Sequence, residues 1–118
     1  MVGTWVNPAY NDDGSTDTPG KVVIGSDNTL ETYETTTSTT PAITGTITVE
    51  DDWVDGDYHY FKGVLTTTNT NPTETIHVLM RISNEGYTYE ANSTTTGTYP
   101  TAIDPTASDY QYYTRDGG

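Results

Sequence analysis

Residues 75–94 read TIHVLMRISNEGYTYEANST, and they decide the fold class. Apolar and polar residues alternate on both sides of Glu85-Gly86, which is the period of a half-buried strand and not that of a helix. A two-residue turn at Glu85-Gly86 fixes which residues meet across the hairpin and sets Arg81 opposite Glu90. Ile76, Val78, Met80 and Ile82 then share a face with Tyr87, Tyr89 and Ala91, while His77, Arg81, Glu90 and Asn92 lie on the other. Such a hairpin has one apolar face and needs a core to cover it.

The same pattern repeats outward in both directions. Strand candidates fall at 3–7, 21–26, 29–37, 43–53, 58–68, 75–83, 87–94 and 110–116, with turn residues between them. Asp27-Asn28 and Asp55-Gly56 are read as two further tight hairpins. The first sets Lys21 opposite Glu34, and the second sets Asp52 beside His59 and Ile47 beside Val64. Polar connections at 35–42 (TTTSTTPA) and 66–73 (TTTNTNPT) resemble each other and are expected at one end of the molecule. No window carries apolar residues at i, i+3, i+4 and i+7, so the chain is read as all-β, a single domain over 1–118.

Composition agrees with that reading. The chain has 118 residues, only 31% of them hydrophobic, and a mean hydropathy of −0.64, so its ten tyrosines must supply much of the buried surface. Its 27 threonines suit half-exposed strands better than helix interiors. Four basic residues stand against 17 acidic ones, a net charge of −13. A chain this acidic is repelled by phosphate backbones and anionic headgroups, which argues against a nucleic-acid partner. The lack of cysteine rules out disulfides and thiolate chemistry. No stretch approaches the length and apolarity of a transmembrane helix.

An eight-strand antiparallel up-and-down meander has two open edges, and closing its last strand onto its first removes them. Closure brings Trp5, in GTWVN at 3–7, beside Arg115, in YQYYTRD at 110–116. A guanidinium stacked on the indole and bonded to nearby carbonyls would staple the two ends of the chain together. In this respect the chain resembles the lipocalins and the wider calycin superfamily, whose first strand carries Gly-x-Trp and whose last carries Arg. Gly3, Trp5 and Arg115 are the matching positions. More narrowly, GTWVN, the Gly-Lys-Val-Val strand, DNTLETYE, ISNEGYTYE and YPTAIDP…YYTR are similar to short lipocalin-like domains of bacterial exported proteins and lipoproteins. The resemblance implies an extracellular or cell-envelope protein in processed form. The family's helix before the last strand is missing: residues 94–109 contain two prolines and no helical period, and are expected to form a loop.

Chemistry-bearing motifs are sparse. His59 and His77 form no metal-ligand spacing, and no nucleophile, phosphate-loop or dinucleotide motif occurs. Asp51, Asp52, Asp55 and Asp57 surround Trp53 near a turn, and Asp13, Ser15 and Asp17 alternate in a polar loop; neither has the pattern of an EF-hand. Asn92-Ser93-Thr94 is a glycosylation sequon in a threonine-rich chain. The expectation is a non-enzyme with no cofactor and no metal. Two readings stay open. One is a barrel holding a small apolar ligand against Tyr58, Tyr60, Val78, Met80, Tyr87 and Tyr89. The other is a structural or interaction module with a side-chain-filled interior, able to self-associate. With Lys21, Arg81 and Arg115 committed elsewhere, Lys62 is the one spare cation, so a ligand is expected to be neutral or cationic.

Overall fold

The computed structural model describes residues 2–7, 19–107 and 109–115. It contains eight strands: β1 Gly3–Val6, β2 Lys21–Ile24, β3 Thr29–Tyr33, β4 Ile43–Asp55, β5 Tyr58–Thr67, β6 Thr75–Ser83, β7 Thr88–Thr94 and β8 Gln111–Arg115. They form a closed antiparallel barrel in which each strand pairs with its chain neighbours and β8 returns to β1. No helix occurs among the described residues, and 95–107 and 109–110 form a loop, in keeping with the two prolines.

Up-and-down order sends successive connections to alternate ends. The tight turns β2–β3, β4–β5 and β6–β7 lie at one end with the start of β1 and the end of β8. The longer connections gather at the other, where Thr44 Oγ1 meets Thr68 Oγ1 at 2.7 Å and Asn69 Nδ2 donates to the Ala42 carbonyl at 3.2 Å. The two ends are called the hairpin end and the loop end below.

Closure takes the form the terminal residues suggest. Trp5 pairs directly with Arg115, whose guanidinium carbon lies 4.7 Å from the indole centroid. Arg115 Nε donates to the Gly86 carbonyl (2.9 Å) and Nη2 to the Val2 carbonyl (3.0 Å). Trp5 and Tyr113 are fully buried, and Tyr89 packs between them with ring centroids 5.6 Å from each. Aromatic rings thus fill the hairpin end of the core, and aliphatic side chains surround the rest.

Two of the three expected registers are corrected. The β6–β7 hairpin pairs Arg81 with Glu90 as its sequence dictates. Lys21, however, faces Tyr33 and not Glu34. The loop between β2 and β3 has three residues, because Gly25 pairs with Thr29 and Asn28 adopts a left-handed conformation at φ 63°. That extra residue shifts every pair by one. Lys21 therefore sits 4.3 Å from the Tyr33 ring centroid and donates to the Ser38 carbonyl at 3.1 Å.

In the β4–β5 hairpin the central turn residues are Gly56, at φ 62°, and Asp57. Glycine takes the first central position because only it adopts positive φ freely, which is the signature of a type II′ turn. Asp52 then faces Phe61, Lys62 faces Asp51, and Ile47 faces Leu65 and not Val64 after a bulge between Val49 and Asp51. Asp52 still reaches His59 diagonally, at 2.8 Å, because both remain on one face.

Candidate functional site: the barrel cavity

Every strand but β1 turns a side chain toward a cavity of about 240 Å³ in the loop-end half of the barrel. Its walls are alternate residues: Val22 on β2, Leu30 on β3, Ile47 on β4, Leu65 on β5, Val78 and Met80 on β6. Period-two alternation puts them there, and a small residue, Ala91 on β7, leaves the space that a larger one would fill. Tyr89 lines the cavity nearest the aromatic cluster. Thr32, Ser93, Asp109 and Gln111 add polar groups toward the loop end.

The electrostatics of this lining are one-sided. It includes Asp109, whose Oδ1 accepts from Asn92 at the rim, and no histidine, lysine or arginine. Tyr89 is 3% exposed, and burial alone holds its hydroxyl well above the ordinary tyrosine pKa. A neutral hydroxyl in an apolar wall is suited to one hydrogen bond with a guest.

The loop after β7 positions the rim. Asn92, 2% exposed, donates through Nδ2 to the Asp104 carbonyl (3.2 Å) and to Asp109 Oδ1 (2.7 Å), while the Asp104 N–H donates to Asn92 Oδ1 (2.8 Å). Glu90 accepts from Arg81 Nε (2.8 Å) and Nη2 (3.1 Å) and from the Tyr110 hydroxyl. These bonds tie the connection between β7 and β8, through Asp104, Asp109 and Tyr110, to the outer face of β7. They also explain why Leu79, Glu90 and Asn92, on the face expected to meet solvent, are buried. The sequon at Asn92 is consequently inaccessible to modification in the folded chain.

The structure divides the residues singled out from sequence. Val78, Met80 and Tyr89 line the cavity together. Tyr58 and Tyr60 lie on the outer face of β5, where Tyr60 is stacked with Trp53 (centroids 5.5 Å) and Tyr58 meets the Arg81 guanidinium (4.1 Å). Tyr87 precedes β7 and is 55% exposed, because its N–H turns to Ser83 Oγ and the strand begins one residue later. Gly3, Trp5 and Arg115 act at the seam: a Cβ on Gly3 would lie 3.1 Å from the Arg115 guanidinium. Lys62 stands outside, 5.9 Å from the Trp53 ring centroid and 5.5 Å from that of Tyr99.

Sequence reasoning missed Asp109, since the connection from β7 to β8 gives no register from which to place it, and it missed the role of Asn92 as the residue that bonds to that connection. The walls Leu30, Ile47 and Leu65 were not singled out: the expected pairing of Ile47 with Val64 puts Leu65 on the face opposite Tyr58 and Tyr60, and the observed pairing of Ile47 with Leu65 reverses this. Asp13, Ser15 and Asp17 lie outside the described residues. Among the described residues no group of three or more His, Cys, Asp or Glu could hold a metal ion. His59 Nε2 and Asp52 Oδ2 are in hydrogen-bond contact at the hairpin end (2.8 Å), with side chains 37% and 55% exposed, and neither lines the cavity. No described helix is long and apolar enough to cross a membrane. Comparison with known protein families, curated proteins and solved structures returned no match.

Proposed function

We propose that this chain is a non-catalytic, lipocalin-like binding module, exported to the cell envelope or beyond, which takes one small uncharged or cationic molecule into its barrel. The observation that carries the reading is the apolar cavity of about 240 Å³ with the buried hydroxyl of Tyr89 in its wall. An apolar cavity of about 150 Å³ stays dry and accepts benzene, whereas drug-sized ligands need roughly 300 Å³ or more. A single aromatic ring system with one polar atom is the guest of matching size. A carboxylate guest would find Asp109 and no cation, so anionic lipids are disfavoured. The lipocalin-like assignment is supported by the pairing of the Gly3-Thr4-Trp5 strand with that of Arg115. Export rests on the resemblance of the terminal motifs to exported lipocalin-like domains.

Calorimetric titration with indole and with octanoate tests the proposal. Indole is expected to bind, to lose affinity in Tyr89→Phe, and to lose it entirely in Ala91→Phe, which fills the cavity. Octanoate is expected to bind far more weakly. Undiminished indole binding by a folded Ala91→Phe protein, or a preference for octanoate, would overturn it.

A further inference from the structure

The barrel is closed, yet one strand is longer than its neighbour can cover. β3 pairs with β4 only from Ile43 to Thr46, and one further bond runs from the Ile47 N–H to the Asn28 carbonyl. Beyond that point β4 continues to Asp55, paired with β5 on one side. On its other side no strand among the described residues pairs with 48–55, and the Asp52 N–H donates only to the exposed Asp51 Oδ1 beside it (2.9 Å). Unpaired strand edges accept an added strand through their N–H and C=O groups.

The side chains along this edge define what could pair there. Asp51, Trp53 and Asp55 share the outer face with their partners Lys62, Tyr60 and Tyr58. Trp53 is stacked with Tyr60 on the β5 flank, with parallel rings. On the side away from β5 no strand among the described residues lies beside β4 at Trp53, and Lys62 Nζ is 5.9 Å from the indole centroid. Asp52 and Val54 occupy the opposite face, and Val54 is 64% exposed. An apolar residue this exposed beside an open edge gives an incoming strand something to cover.

The carboxylates set the sign of the partner. Two copies of this chain pairing edge to edge would bring Asp51, Asp52 and Asp55 against their own kind, which is unfavourable across strands. A basic strand meets the opposite situation: its Lys or Arg side chains fall beside Asp51 and Asp55, within reach of the Trp53 indole. The same acidic residues that keep copies apart thus select an unlike partner.

We propose that the β4 edge at Asp51–Asp55 is a docking site for an extended, Lys- or Arg-bearing segment of another protein, which adds to the sheet as a strand. The site is separate from the barrel cavity and does not depend on the reading of that cavity.

A capped peptide of alternating Lys and Val, titrated at low salt, is the direct probe. Its fully N-methylated counterpart carries the same charge without backbone donors, and a Glu/Val peptide reverses the charge. The Lys/Val peptide is expected to alter Trp53 emission and to slow amide exchange within 51–55. At least tenfold weaker binding is expected for the N-methylated peptide and about tenfold for Trp53→Ala, with none for the Glu/Val peptide. Equal affinity for the N-methylated peptide would reduce the effect to bulk charge attraction and overturn the proposal. So would failure of the Lys/Val peptide to bind at millimolar concentration, or protection of edge amides by self-association without peptide. The N-methylation comparison uses only the wild-type protein, so it decides the matter even if Trp53→Ala does not fold.

Discussion

Trp5 shows how much one side chain can do in a barrel with few large aliphatic residues. It is fully buried, packs on Tyr89, and receives the Arg115 guanidinium on its face, so both ends of the chain are tied through it. Truncating a buried aromatic of this size costs about 3–5 kcal/mol. Trp5→Ala is therefore expected to lower unfolding free energy in urea by that amount, and a loss below about 1 kcal/mol would make Trp5 peripheral. The tyrosines impose a second, pH-dependent requirement. Burial first, and the neighbouring Glu50 second, push Tyr99 up to about 12, and burial pushes Tyr89 up as well. The native state thus holds these protons more tightly than the unfolded chain, whose tyrosines titrate near 10. Their stabilising effect is complete below that value and is lost as pH rises toward 12. Urea midpoints should be flat from neutral pH to about 9 and fall above 10, with a smaller fall in Tyr99→Phe. A midpoint unchanged at pH 11 would contradict the burial of these hydroxyls.

At the scale of elements, legibility followed the turns. The β6–β7 register was readable from Arg81 opposite Glu90, which the paired hydrogen bonds bear out, although the turn differs: residues 84–87 join the strands and the Gly86 N–H donates to the Ser83 carbonyl, a connection that keeps the register of a two-residue turn. The β2–β3 register was not, because Asp27-Asn28 is equally compatible with a three-residue loop once Asn28 takes positive φ. The bulge between Val49 and Asp51 leaves no mark in composition; it reverses the faces of β4 and sends Trp53 outward. For that reason Tyr58 and Tyr60 were assigned to the interior and are found outside. Close approach between strands is equally hidden. A Cβ on Gly45 would sit 2.7 Å from the Thr66 carbonyl oxygen and 2.8 Å from Leu65 Cδ1. Gly45→Ala should accordingly destabilise by about 1–3 kcal/mol, although alanine favours ordered backbone over glycine. An equal or higher denaturation midpoint would mean that the β4–β5 contact has slack.

For the molecule as a whole, closure was legible from the two ends of the chain, since an eight-strand meander that ends in Arg and begins with Gly-x-Trp has its seam written at both termini. The cavity was not, because whether a barrel interior is filled depends on the volumes of residues brought together by register, and Ala91 beside Met80 is a volume effect. Net charge acts at this scale too. With −13 spread over one small domain, repulsion among carboxylates opposes the compact state, and salt screens it. Melting temperature at neutral pH should rise between low and about molar salt, and an unchanged midpoint would show the charges too dispersed to matter. The central claim is that the loop-end half of the barrel holds one small apolar guest. A crystal structure of the wild-type protein soaked with indole tests it most directly. Density for one indole among Val78, Met80, Tyr89 and Ala91 is predicted, and an interior closed by those side chains with indole elsewhere or absent would contradict it.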